Sequence, residues 1–284
     1  MEDEGRARDP AGPPPRPGRF EEALSSRLFR FASPRLARVR QPRTPPHFTP
    51  FERVEIPRRR GGGSLSGVWF PAGRAARGTV LLLHPWMEWG KAYFHRRGRL
   101  EALRRAGYHA LTADLPGFGG SGPPAGLYDL DVEDALGFAR ARAGGLPLHL
   151  WGVSSGGYWA HPVLARGGGV AGAMFEDVSP HLFEWGWRMT PWFRPCFLFF
   201  RTVFPTSYRF LDLRRHAPHL GARAVAYAAG AADPGIPAAD TRTLAAAAGA
   251  ECLLVPAAGH LAAIKQARCE VIGLALETFR KAEA

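Results

Sequence analysis

The sequence predicts an α/β domain, with a mostly parallel central sheet and helices on both faces. From about residue 52 onward, short apolar runs alternate with helix-period segments, the pattern of parallel strands joined by helical crossovers. One run, GTVLLLH at 78–84, is apolar throughout rather than alternating, as a strand covered on both faces should be. With 284 residues and a 46% hydrophobic composition, the chain can bury such a core.

The elements follow in order. RVEIP (53–57) and SLSGVWF (64–70) read as two short strands around a glycine-rich turn. GTVLLLH is the third strand, a helix is expected at about 94–106, and YHALTAD (108–114) is the fourth strand. Residues 128–142 form a helix, with Val132, Ala135, Leu136 and Ala139 at i, i+3, i+4 and i+7. LPLHLWG (146–152) is a strand, a helix starts near 155, and VAGAMFED (170–177) is the next strand. ARAVAYAAG (222–230), a helix at 238–248, the strand ECLLVP (251–256) and a helix at 261–281 complete the set. Ile264, Ala267, Val271 and Leu274 would line that last helix as an apolar stripe.

Two stretches stand outside this alternation. Residues 1–50 form an Arg- and Pro-rich extension. Residues 1–18 are expected to be disordered, 20–40 to form a short basic amphipathic helix broken at Pro34, and 41–50 to be a connector. The helix would pack on the body or lie on a membrane surface. Residues 179–218 interrupt the core, which is thus expected at 51–178 and 219–284. Eleven aromatics fall between Phe183 and Phe210, so this insertion is built of apolar surface and reads as a lid or cap.

The formal net charge is +12, and residues 1–60 supply half of that excess, with 14 Arg against 8 acids. A basic balance favours acidic partners or membrane surfaces. No aromatic-interleaved basic stripe, zinc spacing or recognition-helix pattern is present, so no nucleic-acid partner is expected. Cys196, Cys252 and Cys269 suit neither a disulfide framework nor a metal site, and a reducing, cytoplasmic setting is expected. The start of the chain lacks a secretory h-region, and no apolar run reaches membrane-spanning length.

The chemistry-bearing stretch is LWGVSSGGYW, 150–159, where Gly152-Val153-Ser154-Ser155-Gly156 follows a strand and opens a helix. This G-x-S-x-G is a nucleophile elbow, a turn so tight that bulky neighbours would clash with backbone. It lifts the central hydroxyl above the carboxyl edge of the sheet, over a helix N-terminus that favours negative charge. Ser155 fails the spacing, so Ser154 is the candidate nucleophile. PAAGHL puts His260 just after the last strand, where a base could activate that hydroxyl. GAADPGIP puts Asp233 after the preceding strand, where a carboxylate could orient the imidazole. LLLHPWMEWG follows the third strand, where a backbone N–H for an oxyanion hole is expected.

With these residues in the order Ser, Asp, His, and with DLPGFGGSG at 114–122, the chain from about residue 50 onward resembles the α/β-hydrolase superfamily. Within it the chain resembles a serine esterase- or lipase-like member. The resemblance implies that Ser154 attacks a carbonyl carbon, His260 takes its proton, Asp233 orients His260, and the N–H groups of Trp86 and Ser155 hold the oxyanion. It implies a small-molecule, ester-like substrate (an ester, thioester or amide with an apolar moiety), for which Trp185, Trp187, Trp192 and Phe193 are candidate pocket residues, and no cofactor or metal. The same triad also supports acyl transfer, perhydrolysis or C–C hydrolysis, and the scaffold can serve a non-enzymatic ligand-binding protein. The lid and residues 20–40 are candidate membrane contacts.

The match departs from the family at two places. His84-Pro85 stands where His-Gly is usual, so residue 85 cannot donate an N–H and the loop is restricted. Pro162 falls in the helix after Ser154 and should kink it. Asp177 is the alternative triad carboxylate, whereas His84, Asp114 and His161 read as structural.

Overall fold

The computed structural model describes residues 12–23, 50–86 and 89–284. Eight strands form one sheet: β1 (Glu52–Pro57), β2 (Ser64–Phe70), β3 (Gly78–Leu83), β4 (Tyr108–Ala113), β5 (Leu148–Val153), β6 (Gly172–Glu176), β7 (Ala224–Gly230) and β8 (Glu251–Val255). Their order is β1-β2-β4-β3-β5-β6-β7-β8. β2 is antiparallel to both β1 and β4, and every other pair is parallel. The expected architecture is therefore present. From β3 the chain first steps outward to β4 and then returns to the other side of β3 at β5. The loops after β3 and β5 diverge there, opening the crevice in which parallel sheets hold their ligands.

Two apolar layers enclose the sheet, as the unbroken apolar strands require. On one face α2 (Asp129–Ala143) and α3 (Ser155–Ala165) pack Val132, Leu136, Tyr158 and Leu164 against Leu81, Leu83 and Leu150. On the other, α1 (Arg99–Ala106) and the C-terminal helix pack Leu100, Leu103, Val271 and Phe279 against Val80, Leu82 and Trp151. Successive residues of β3 thus face opposite layers, and both faces are dry.

Three local expectations are corrected. The helix expected at 94–106 is a 3₁₀ segment, Gly90–His95, then α1; Arg97 (φ 65°) and Gly98 (φ 77°) turn the chain left-handed between them. A glycine at 98 permits that turn. The helix expected at 261–281 is split by Ala267, and nothing in the local sequence marks the break. Residues 12–18, expected to be disordered, lie on the body: the Arg16 Nε donates to Asp129 Oδ2 at 2.8 Å and its Nη1 to Glu22 Oε2 at 2.6 Å. Residues 19–23 are helical, whereas 1–11 and 24–49, including Pro34 and the connector, lie outside the described residues.

Between β6 and β7 the chain forms α4 (Leu182–Met189), α5 (Arg194–Val203) and α6 (Pro205–Phe210). Their aromatics pack largely on one another, with Phe183 against Phe200 at 4.4 Å between ring centres and Phe200 against Phe204 at 5.0 Å. The two ends of this insertion are stitched together. Leu213 N–H donates to Pro180 O at 2.8 Å, and His181 bridges Asp212 as an isolated antiparallel pair. Tyr158 of α3 grips both sides, its hydroxyl accepting from Leu182 N–H at 3.3 Å and donating to Leu211 O. The chain continues through α7 (Ala238–Ala247), α8 (Ala263–Gln266) and α9 (Arg268–Glu283). Among the described residues, no helix is long and apolar enough to cross a membrane.

Candidate active site

Four adjacent parallel strands each deliver one polar residue to the carboxyl edge of the sheet. Ser154 follows β5, Asp177 follows β6, Asp233 lies beyond β7 and His260 beyond β8. Backbone strain collects at the same edge. Of the five non-glycine residues with positive φ among the described residues, Ser154 (48°), Asp177 (49°), Ala257 (56°) and Leu261 (57°) all lie there. Such conformations persist only where surrounding structure over-determines them.

At Ser154 the sources of that constraint can be named. A Cβ on Gly152 would lie 2.5 Å from Gly157 Cα, and one on Gly156 would lie 2.3 Å from Leu83 O. Gly152 and Gly156 thus let β5 turn straight into α3 while α3 touches the end of β3. Ser154 N–H donates to Glu176 O at 2.7 Å, and Ser154 O accepts from Tyr158 N–H at 2.8 Å. Beneath this turn, Glu176 is buried in an ion pair with Arg99 (Nε to Oε1, 2.8 Å) and accepts from Trp151 Nε1 at 2.6 Å.

The structure brings the three sequence-predicted residues together. Ser154 Oγ lies 3.2 Å from His260 Nε2, and His260 Nδ1 lies 2.7 Å from Asp233 Oδ2. The other Asp233 oxygen accepts from Gly235 N–H (2.8 Å) and Ile236 N–H (3.1 Å). Burial alone would raise the Asp233 pKa, but the His260 hydrogen bond and charge and the two backbone donors outweigh it and hold the group below its ordinary value. The carboxylate is thus ionised and can only accept. Nδ1 must then carry the proton, leaving Nε2 to accept from the Ser154 hydroxyl. Burial works against a charged His260, yet Asp233 and Asp177 together keep its pKa above the ordinary value.

Asp177, the alternative triad carboxylate, is taken up by backbone donors instead. It does not reach the imidazole proton; its Oδ1 accepts from Gly230 N–H at 3.0 Å and its Oδ2 from Leu261 N–H at 3.1 Å. One carboxylate thereby pins the end of β7, three residues before Asp233, and the residue after His260. Burial pushes its pKa up to about 6. One donor atom each from Asp177, Asp233 and His260 falls within 4.8 Å of the others, the closest approach to a metal-ligand set among the described residues. A cation there would compete with the hydrogen bonds that all three side chains already make.

The His84 ring is buried and ties two loops together, its Nδ1 bonding Pro85 O at 2.7 Å and its Nε2 accepting Leu115 N–H at 2.9 Å. It fixes the loop that leads to Trp86, whose indole stacks on Tyr128 (5.7 Å, 12°) and meets Phe118 edge-on (5.2 Å). Asp114 accepts from Lys91 N–H at 2.7 Å and from its ammonium. His161 bonds Gly157 O and the Tyr227 hydroxyl, each at 2.7 Å, and burial lowers its pKa to about 3. All three side chains are engaged in contacts within loops and core. α3 runs on through Pro162 to Ala165.

Three of the four candidate pocket residues can be placed, and they stand apart from one another. Trp185 and Met189 cover the loop carrying Asp233, within 2.9 and 3.1 Å of where a Gly235 Cβ would stand. Trp187 lines a groove of about 350 Å³ between α4 and α5, to which Ser154, Asp233 and His260 contribute nothing. Trp192 is turned outward, 74% exposed, because α5 buries little beyond Phe200. The side chain of Phe193 lies outside the described residues. Tyr158 and Asp177 were the residues that sequence reasoning missed or underused. Asp177 was marked only by its place at a strand end, and Tyr158 only by its place one turn after the elbow serine.

Residues 78–189 match a family model described as the alpha/beta hydrolase fold. The human protein ABHD14A is 34% identical over a stretch covering 34% of this chain and 36% of that protein, so the chain matches only about a third of its length. Solved structures agree over much more of the chain. The Pyrococcus furiosus esterase Pf2001 superposes with a TM-score of 0.71 at 18% identity, covering 87% of this chain and 98% of its own. A thermostable carboxyl esterase from Bacillus coagulans gives 0.63 at 14% identity (82% and 99%). XC6422 from Xanthomonas campestris, a serine hydrolase described as having no lid, gives 0.59 at 14% identity (85% and 97%).

Proposed function

We propose, from the premise that the chain belongs to the α/β-hydrolase superfamily, that it is a serine hydrolase cleaving a carboxylic ester with an apolar moiety. The observation that carries this reading is the unbroken relay from Ser154 Oγ through His260 to Asp233, with contacts of 3.2 and 2.7 Å. Ser154 Oγ attacks the carbonyl carbon as its proton passes to His260 Nε2. Asp233 holds the ring and stabilises the imidazolium that forms. The developing oxyanion is held by the N–H of Ser155 and that of Trp86. Ser155 opens α3, so its N–H has no partner within the helix. Collapse expels the alcohol, which takes the proton from His260. Water, deprotonated by the same imidazole, then releases the acid from the acyl-enzyme. The insertion at 179–218 serves as a lid, with Trp185 and Met189 over the loop that carries Asp233 as the apolar side chains nearest the triad.

The test uses p-nitrophenyl esters of graded chain length together with a fluorophosphonate probe. The protein should turn over the esters and be labelled at Ser154, and Ser154→Ala should lose labelling and on the order of 10⁴–10⁶ in rate. A folded protein inert to both reagents would refute the proposal.

A further inference from the structure

We propose that the outer face of the insertion, centred on α5, docks on an anionic lipid surface. α5 buries little besides Phe200 and presents Leu198, Phe199 and Val203 to solvent, with Trp192 just before it. Phe199 is 60% exposed. These side chains stand on one short stretch of surface, whereas the other exposed large hydrophobics among the described residues are Phe20 and, on α4 of the same insertion, Trp185 and Met189. An apolar ridge of this kind marks an interaction site rather than ordinary surface.

The charges around the ridge identify the partner. From Trp185 to Leu211 the sequence contains Arg188, Arg194, Arg201 and Arg209 and no acidic residue, and Glu184, which lines the groove beside Arg201, is paired to Arg214. Arg188 is committed to Asp240 at 2.5 Å. Arg194, Arg201 and Arg209 are exposed, and among the described residues none of them forms an ion pair. Arg194 lies over the Trp187 ring at 4.9 Å and Arg201 over Tyr208 at 5.7 Å, which holds both guanidinium groups at the rim of the ridge. Aromatic and aliphatic side chains at the centre with arginines around them form an interfacial anchor, the apolar part entering the acyl boundary and the cations meeting lipid phosphates. A second copy fits the same face less well. A two-fold contact would bring this arginine-rimmed face against an identical one, with no acid from Trp185 to Leu211 to offset the like charges.

The proposal goes beyond ester hydrolysis and does not depend on it. The full chain is sedimented with vesicles of phosphatidylcholine alone and of phosphatidylcholine mixed with phosphatidylserine, across a range of salt. Binding is expected to the mixed vesicles, weakening as salt rises. Arg194→Gln with Arg201→Gln should weaken it by roughly fivefold for each arginine lost. Phe199→Ser with Val203→Ser should weaken it by about tenfold or more. Circular dichroism should show both variants folded. Brominated lipid should quench wild-type fluorescence, and Trp192→Phe should remove most of that quenching. Failure to sediment with the mixed vesicles would overturn the proposal. So would binding that neither double variant weakens, which would assign it to another surface, or a dimer in solution that Phe199→Ser with Val203→Ser dissolves.

Discussion

Replacing Gly230 by alanine probes how closely the His260 loop must sit on the end of β7. Gly230 does not have positive φ, so alanine fits its backbone and any cost is steric. The added methyl would stand 2.3 Å from Ala258 O and 2.5 Å from Gly259 O. Both are main-chain atoms and neither can swing aside. Ordinary contact begins at 3.4 Å, so the loop has to retreat by 3.4 − 2.3, about 1 Å. His260 follows directly on this loop and meets Ser154 at 3.2 Å, with no slack in the relay. A displacement of about 1 Å at reacting groups costs on the order of 10²-fold in rate. Crowding of a packed core costs roughly 1–3 kcal/mol, which at this chain length lowers Tm by about 2–10 °C. The assay is the rate of fluorophosphonate labelling at Ser154, read by intact-protein mass, beside kcat/KM on a p-nitrophenyl ester and a melting curve. Both rates should fall together. Wild-type rates in a variant that melts lower would refute the claim that this contact sets the position of His260.

Three further outcomes are expected. Asp177→Asn removes a negative charge beside His260, whose other charged neighbour is Asp233; the imidazolium is then less favoured, its pKa falls, and the acid limb of the pH–rate profile moves to lower pH, whereas an unmoved limb would mean that Asp177 acts only as a structural clamp. Arg99→Met strands the buried Glu176 carboxylate under the elbow and should cost about 3–5 kcal/mol in denaturant unfolding, with Glu176→Gln added to it recovering part of the loss. If the single and double variants were equally stable, the ion pair would not be what holds that layer. Tyr158→Phe loses the donor to Leu211 O and the acceptor for Leu182 N–H, so stability should drop by roughly 1–3 kcal/mol and trypsin should cut the insertion faster, while an unchanged digestion rate would show that the hydroxyl does not anchor it.

The middle of the sheet, β3 to β7, was legible because those strands are buried on both faces and written as nearly continuous apolar runs, and because glycines and prolines mark their ends. Ser154, Asp233 and His260 could be found for a related reason. Strand-end turns have strict steric demands, and Gly152 and Gly156 record them in the sequence. What could not be read depends on contacts between distant segments. The break at Ala267 has no local cause. Arg16 looks like part of a charged, proline-rich tail until Asp129 and Glu22 are brought beside it. That Asp177 is taken up by the N–H groups of Gly230 and Leu261, from two different segments, could not be read either. The aromatics of the insertion read as pocket lining because composition shows apolar surface without direction, and here much of it is spent on Phe183, Phe200 and Phe204 packing one another.

The stitched base of the insertion has a consequence for a molecule whose backbone is cut. A protease that severs the peptide bond after the exposed Arg201 leaves Ser154 on one fragment and Asp233 with His260 on the other. Those fragments remain joined by the full β6–β7 ladder and by Leu213 N–H on Pro180 O. The nicked protein should therefore elute as a single particle and still take up the serine-directed probe, with its halves parting only in denaturant.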